Sequence, residues 1–242
     1  MPVAYQLFAV DSFPKDRKFK TAIELSLFGD DDNNIETTET VVEQFGTSAD
    51  HGFSRFDSLH EFVFRLQYPG RARGKVFREF VTPYRFTAYL GDDHAKLGFR
   101  PLLVRTKKSV AADFIERLNT NVQDFKVRRV GLDFTQLRPR LQQISGAWFG
   151  SMREDHVTST GVFGPGVDRS HEFKHAERVG EITNLVTPLE VSGVTHTVML
   201  GADGSVLLYQ GYQTEAEELV VVSECLESLL AGCVSPHCAA KR

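Results

Sequence analysis

The sequence predicts an α+β fold: mostly antiparallel sheet, with a few helices packed on one face. Three observations lead to it. β-branched and aromatic residues alternate with polar ones over much of the chain, Pro/Gly/Asn/Asp clusters punctuate those runs, and two distant segments carry apolar residues at helical spacing.

In chain order, residues 3–10 and 19–28 are rich in β-formers and read as an opening antiparallel pair. The acidic loop 29–34 imitates the start of an EF-hand with Asp30, Asp32 and Asn34. Ile35 stands where that loop needs glycine and Val41 where it needs glutamate, so a solvated loop is expected. Residues 35–45, closed by Gly46, read as a short helix on weak periodicity.

Long strands follow at 61–68 and 75–90, with Pro83 marking an edge or bulge, and another at 99–105. Phe62, Phe64, Phe77 and Phe80 are expected in the core. Ser109 is placed to cap a helix whose Ala111, Phe114, Ile115 and Leu118 form one apolar stripe. The pattern restarts after residues 119–124, which divides the chain into a β-rich domain, 1–122, and an α+β domain, 123–242.

In the second part a strand at 127–132 precedes a short helix opened by Pro139. Strands are expected at 147–152, 157–163, 181–191, 194–200 and 205–210, the last two joined by a turn at 201–204. A capping box from Thr214 to Glu217 opens the closing helix, with Leu219, Val222, Leu226 and Leu229 facing inward. The C-terminal half therefore reads strand, helix, four or five strands, helix, an order similar to one repeat of the TATA-binding-protein-like folds.

A chain of 242 residues with 41 % hydrophobic and 25 % charged residues has an ordinary globular composition. No apolar run reaches the roughly 18 residues that a membrane helix needs. The three cysteines, Cys225, Cys233 and Cys238, crowd the C-terminus in a number that cannot pair, so a reducing, cytoplasmic location is expected.

Net charge is −4, but residues 51–150 hold 18 Lys+Arg against 9 Asp+Glu, while the flanks are acidic. A basic centre can attract a polyanion locally, or it can be neutralised by its own flanks across the fold. Within it, Arg71, Arg73, Lys75 and Arg78 form a basic hairpin tip among aromatics, and Arg105, Lys107 and Lys108 lie where a strand meets a helix start. Guanidinium forks and free helix N–H groups both suit phosphate. These residues point to a binding protein that docks on nucleic acid.

The alternatives are a zinc-dependent hydrolase and a subunit or adaptor of a protein complex, with self-association compatible with either. The segment HEFKH matches HExxH, which on a helix would place His171 and His175 on one zinc ion with Glu172 as general base. Lys174 inside the motif favours a polar surface turn or strand instead. Trp148 and His196 read as core residues, and His237 with Cys238 as part of a frayed tail.

Overall fold

The computed structural model describes residues 2–26, 35–45, 52–72, 75–153 and 156–236. The acidic loop 29–34, Arg73, His237 and Cys238 fall outside these residues, as do the side chains of Lys75 and Phe77. In order, the first elements are strands β1 (Val3–Ser12), β2 (Lys18–Ser26), β3 (Ile35–Gln44), β4 (Phe53–Ala72), β5 (Lys75–Gly91) and β6 (Arg100–Val104), then helix α1 (Lys108–Asn121). They are followed by β7 (Lys126–Leu132), α2 (Phe134–Leu137), β8 (Gly146–Gly150), β9 (Thr160–Phe163), α3 (His171–Val179), β10 (Glu181–Val191), β11 (Val194–Gly201) and β12 (Ser205–Leu208). The last are α4 (Glu215–Glu224), a π-helical turn (Cys225–Leu230) and β13 (Val234–Pro236).

All described strand pairs are antiparallel, in the order β2-β3-β4-β5-β6-β1-β12-β11-β10-β8-β9, with β7 bonded to β1 and β13 to β7. The expected opening pair does not form: β2 pairs with β3, whereas β1 has β6 along one edge and β12, then β7, along the other. The reason is burial on both faces. Tyr5, Leu7 and Ala9 enter one core, Phe8 and Val10 the other, and a strand so apolar belongs in the middle of a sheet.

Helices accordingly cover both faces rather than one. Helix α1 sits on the core of Phe8, Phe86, Leu102 and Phe125 through Val110, Ala111, Phe114, Ile115 and Leu118. Helix α3 with Phe173, helix α4 with Leu219 and Val222, and the π-helical turn with Leu226 and Leu229 close the opposite core. Residue 122 lies in the turn between α1 and β7, and one sheet runs through both parts of the chain, with β1 bonded to β7 and β12.

Several local expectations need correction. Residues 35–44 form a strand, because β-branched Thr38, Thr40 and Val42 alternate inward. Ser109 lies inside α1, whose start at Lys107 has no side-chain cap. The short helix opens at Phe134, where Asp133 accepts from the N–H groups of Thr135 and Gln136, and Pro139 falls in a following 3-10 turn. The strand expected over 157–163 is confined to β9, and α3 interrupts the expected run of strands.

The turn at 201–204 and the Thr214 cap form as expected: Thr214 accepts from the Glu217 N–H, and the Glu217 carboxylate from the Gln213 N–H. Gly204 has φ +81°, and a Cβ there would meet the Val130 carbonyl oxygen at 2.9 Å, so glycine is required.

Cys225 and Cys233 are buried free thiols, and burial pushes the Cys225 thiol up to about 12. At a mildly alkaline pH Cys225 should stay silent to a thiol reagent such as Ellman's until the protein unfolds. Cys225→Ser is expected to leave the native titre unchanged and to lower the denatured titre by a single thiol. A lower native titre would show that the site is open.

Candidate nucleic-acid interface

The two longest strands, β4 and β5, outrun their neighbours. β3 bonds β4 only from Phe56 to His60, and β6 bonds β5 only from Ala88 to Leu90. Beyond His60 and before Tyr84, β4 and β5 pair only with each other in the described sheet, as a free two-stranded ribbon. Pro83, which cannot donate to a ladder, lies beyond the last β6 pairing, where no partner needs its N–H.

This geometry corrects the expectation of core burial for Phe64 and Phe80, while Phe62 reaches the edge of a core. Phe62 and Phe64 are only partly buried and Phe80 is exposed, because a ribbon without flanking strands has little to bury them against. Phe64 stacks on Phe80 at 4.9 Å, and Phe62 meets Phe64 and Tyr84 edge-on and, with Tyr84, packs against the core under α1. Residues 62–82 contain five basic residues, Arg65, Arg71, Arg73, Lys75 and Arg78, against one acid, Glu79. Arg71 and Arg78 are exposed, and Arg65 reaches Glu79 at 3.0 Å with most of its side chain in solvent.

The root of the ribbon is braced by a polar network that sequence reading did not detect. His60 is fully buried; its Nε2–H donates to Asp113 of α1 at 2.9 Å, and its Nδ1 lies 2.8 Å from the Thr40 hydroxyl. Arg117, also buried, donates to the Thr38 hydroxyl at 3.2 Å, the Glu61 carbonyl at 3.0 Å and Asp113 at 3.4 Å. Thr40 and His60 have no exposed surface, so this Thr–His–Asp line is a strut and not a nucleophile site. Residues 53 apart in sequence form it, and no local signal reveals such a pairing.

Burial pushes the Asp113 carboxyl up, but the His60 hydrogen bond and charge, with Arg117, outweigh it and hold Asp113 below its usual range. A carboxyl lowered in the folded state contributes stability that is complete above its unfolded pKa and is lost as pH falls through the folded one. The urea midpoint should therefore drop more between about pH 5 and about pH 3 in the wild type than in Asp113→Asn. Equal drops would remove Asp113 from the acid response.

The second basic group is not at this end of the molecule. Arg105 follows β6, and from its neighbour Ala88 back to Val76, the partner of Arg71, is roughly 40 Å along β5. Arg105 is turned inward: it donates to both Glu218 oxygens at 2.7 and 2.9 Å and lies 3.6 Å from Glu215. Lys108 bridges to Asp203 at 2.5 Å, and Lys107 sits over the Tyr84 ring at 5.9 Å. Carboxylates of the acidic C-terminal flank thus occupy Arg105 and Lys108, the neutralisation across the fold that the charge distribution allowed. Lys107, by contrast, is exposed and meets no carboxylate among the described ion pairs.

Residues 171–179 form a helix, not the polar turn or strand that the residue pattern favoured, because Ser170 caps it and Phe173 and Ala176 bury one face. His171, Glu172 and His175 line a cleft of about 550 Å³ beside Phe163 of β9. The two imidazoles are parallel with centroids 6.4 Å apart.

The described residues do not complete a zinc site. Among them no group of three or more His, Cys, Asp or Glu side chains is placed to hold a metal ion. The cationic Arg178 donates to His175 Nδ1 at 3.1 Å, so this nitrogen is already occupied. Glu172 is exposed, and its own backbone N–H holds its carboxyl below the usual range.

Another cleft, of about 1120 Å³, is lined by α2, the 3-10 turn at Arg138–Arg140 and the start of β10, with the ion pair of Arg138 and Glu177 in its wall. His196 is half-buried and lies 3.0 Å from the Tyr212 hydroxyl, and Trp148 packs edge-on against Phe163. No helix among the described residues is long and apolar enough to cross a membrane. No protein-family model matches the chain, and no curated protein is similar to it in sequence.

Proposed function

We propose that this chain is a binding protein that docks on nucleic acid through the β4–β5 ribbon. The observation that carries the reading is the ribbon itself: two strands with no flanking strand among the described residues, and five basic residues against one acid over residues 62–82. Two-stranded ribbons are a common means of reaching a nucleic acid past the body of a protein, and arginine forks match phosphate oxygens bidentately.

The interface consists of Arg65, Arg71, Arg73, Lys75 and Arg78. Arg105 and Lys108, held by carboxylates of the C-terminal flank, are left out of this interface, and Lys107 lies near its root beside Tyr84. The test is a salt-titrated anisotropy assay of labelled single- and double-stranded DNA and RNA, with an Arg71→Ala/Arg73→Ala/Lys75→Ala variant beside the wild type. Salt-dependent binding that is lost in the variant is expected, and its absence for every probe would sink the reading.

A further inference from the structure

The ribbon is not regular along its length. Arg65 faces Glu79 and Gly70 faces Phe77, so the four residues 66–69 stand opposite the single residue Arg78. A bulge of that size cannot lie in the plane of the ladder and re-aims the side chains it carries. Tyr68, within it, is 77 % exposed. Further along, Phe80 is 39 % exposed and stacks on Phe64 with the rings inclined by 10°. Arg65, Arg71 and Arg78 are the exposed basic residues on either side of and opposite the bulge.

We infer that the ligand of this ribbon is single-stranded nucleic acid, with bases stacking on Tyr68 and Phe80 while Arg65, Arg71 and Arg78 follow the phosphates. This rests on the nucleic-acid reading above and narrows it. In a duplex the base faces are occupied by their neighbours and the grooves offer only base edges, so an exposed ring gains little. An unpaired base has a free π-face, and aromatic platforms beside a cationic track are how proteins hold single strands. An apolar protein partner would have to bury the arginines with the rings. The exposed pair of Arg65 with Glu79 is of the kind worth little in water, so the guanidinium can be exchanged to a phosphate at small cost.

The test compares fluorescein-labelled oligothymidylate and oligouridylate with duplexes of equal length, using the full chain. Wild type should prefer the single strands. Tyr68→Ala should weaken their binding by about 5- to 150-fold, the range for one lost base stack, without changing the salt slope. Tyr68→Phe should restore it, and Phe80→Leu, which keeps the packing on Phe64, should lose affinity in the same way. Tyr68 is exposed, so its removal leaves the fold intact, which a thermal melt checks. Equal or tighter binding of duplex, or wild-type affinity in Tyr68→Ala, overturns the single-strand inference while the nucleic-acid reading stands. No binding of any probe overturns both.

Discussion

Arg105→Met is expected to destabilise the protein by about 3–5 kcal/mol, the cost of leaving a buried charge without its partner. Glu218, on α4, is buried, and its carboxylate accepts two bonds from Arg105 and one from the Tyr5 hydroxyl at 2.8 Å. Burial and the Glu218 bond push the Tyr5 phenol up, while the Glu218 bonds push Arg105 up, so the tyrosine stays neutral and the guanidinium charged. Methionine keeps much of the stem's volume but removes every donor.

In urea, the Arg105→Met midpoint should fall by on the order of 1 M. Adding Glu218→Gln should recover part of the loss, because an amide costs less to bury than an unpaired carboxylate. A loss below about 1 kcal/mol would place this pair with ordinary surface bridges. The network also joins β1, β6 and α4, so its loss should act on the whole transition and not on one element.

On the ribbon the largest effect is on salt dependence. Each phosphate neutralised contributes a slope of about 0.7 to 0.9 in log K against log salt, so five contacts on a single strand give about 3.5. Between about 50 and 200 mM salt the wild type should then lose roughly a hundredfold in affinity. The Arg71→Ala/Arg73→Ala/Lys75→Ala variant retains two cations, so its slope should be about 1.4 and its loss over the same range only about sevenfold. Stability should not change, since no described residue from Val63 to Arg71 or from Arg78 to Pro83 belongs to either core. A variant with the wild-type slope would move the phosphate track elsewhere on the molecule.

The helices α1 and α4 were legible because a helix that buries one face repeats its apolar residues every 3.6 positions, as Ala111, Phe114, Ile115 and Leu118 do. β3 was not legible. Its inward positions include Thr38 and Thr40, and their hydroxyls are tolerable in a core only because Arg117 and His60 bond them from distant segments. α3 was ambiguous for a related reason: nine residues carry only Phe173 and Ala176 as a buried stripe. At the candidate interface, the concentration of basic residues was legible from residue types, while the exposure of Tyr68 was not, since a tyrosine among alternating apolar residues reads as one more inward side chain.

What the sequence determined by itself was therefore local: which strongly periodic segments are helix or strand, where the turn at 201–204 falls, and that positive charge concentrates in the middle of the chain. The tertiary structure decided which strands pair, which stretch of β4 and β5 stands free, and which basic residues remain in solvent. Arg105 and Arg71 look alike in sequence, yet one is bound by a carboxylate 113 residues away and the other is exposed. Periodicity records only that a face is buried. Which face meets it, and which charge answers a buried charge, is set by apolar burial and charge pairing acting on the whole chain.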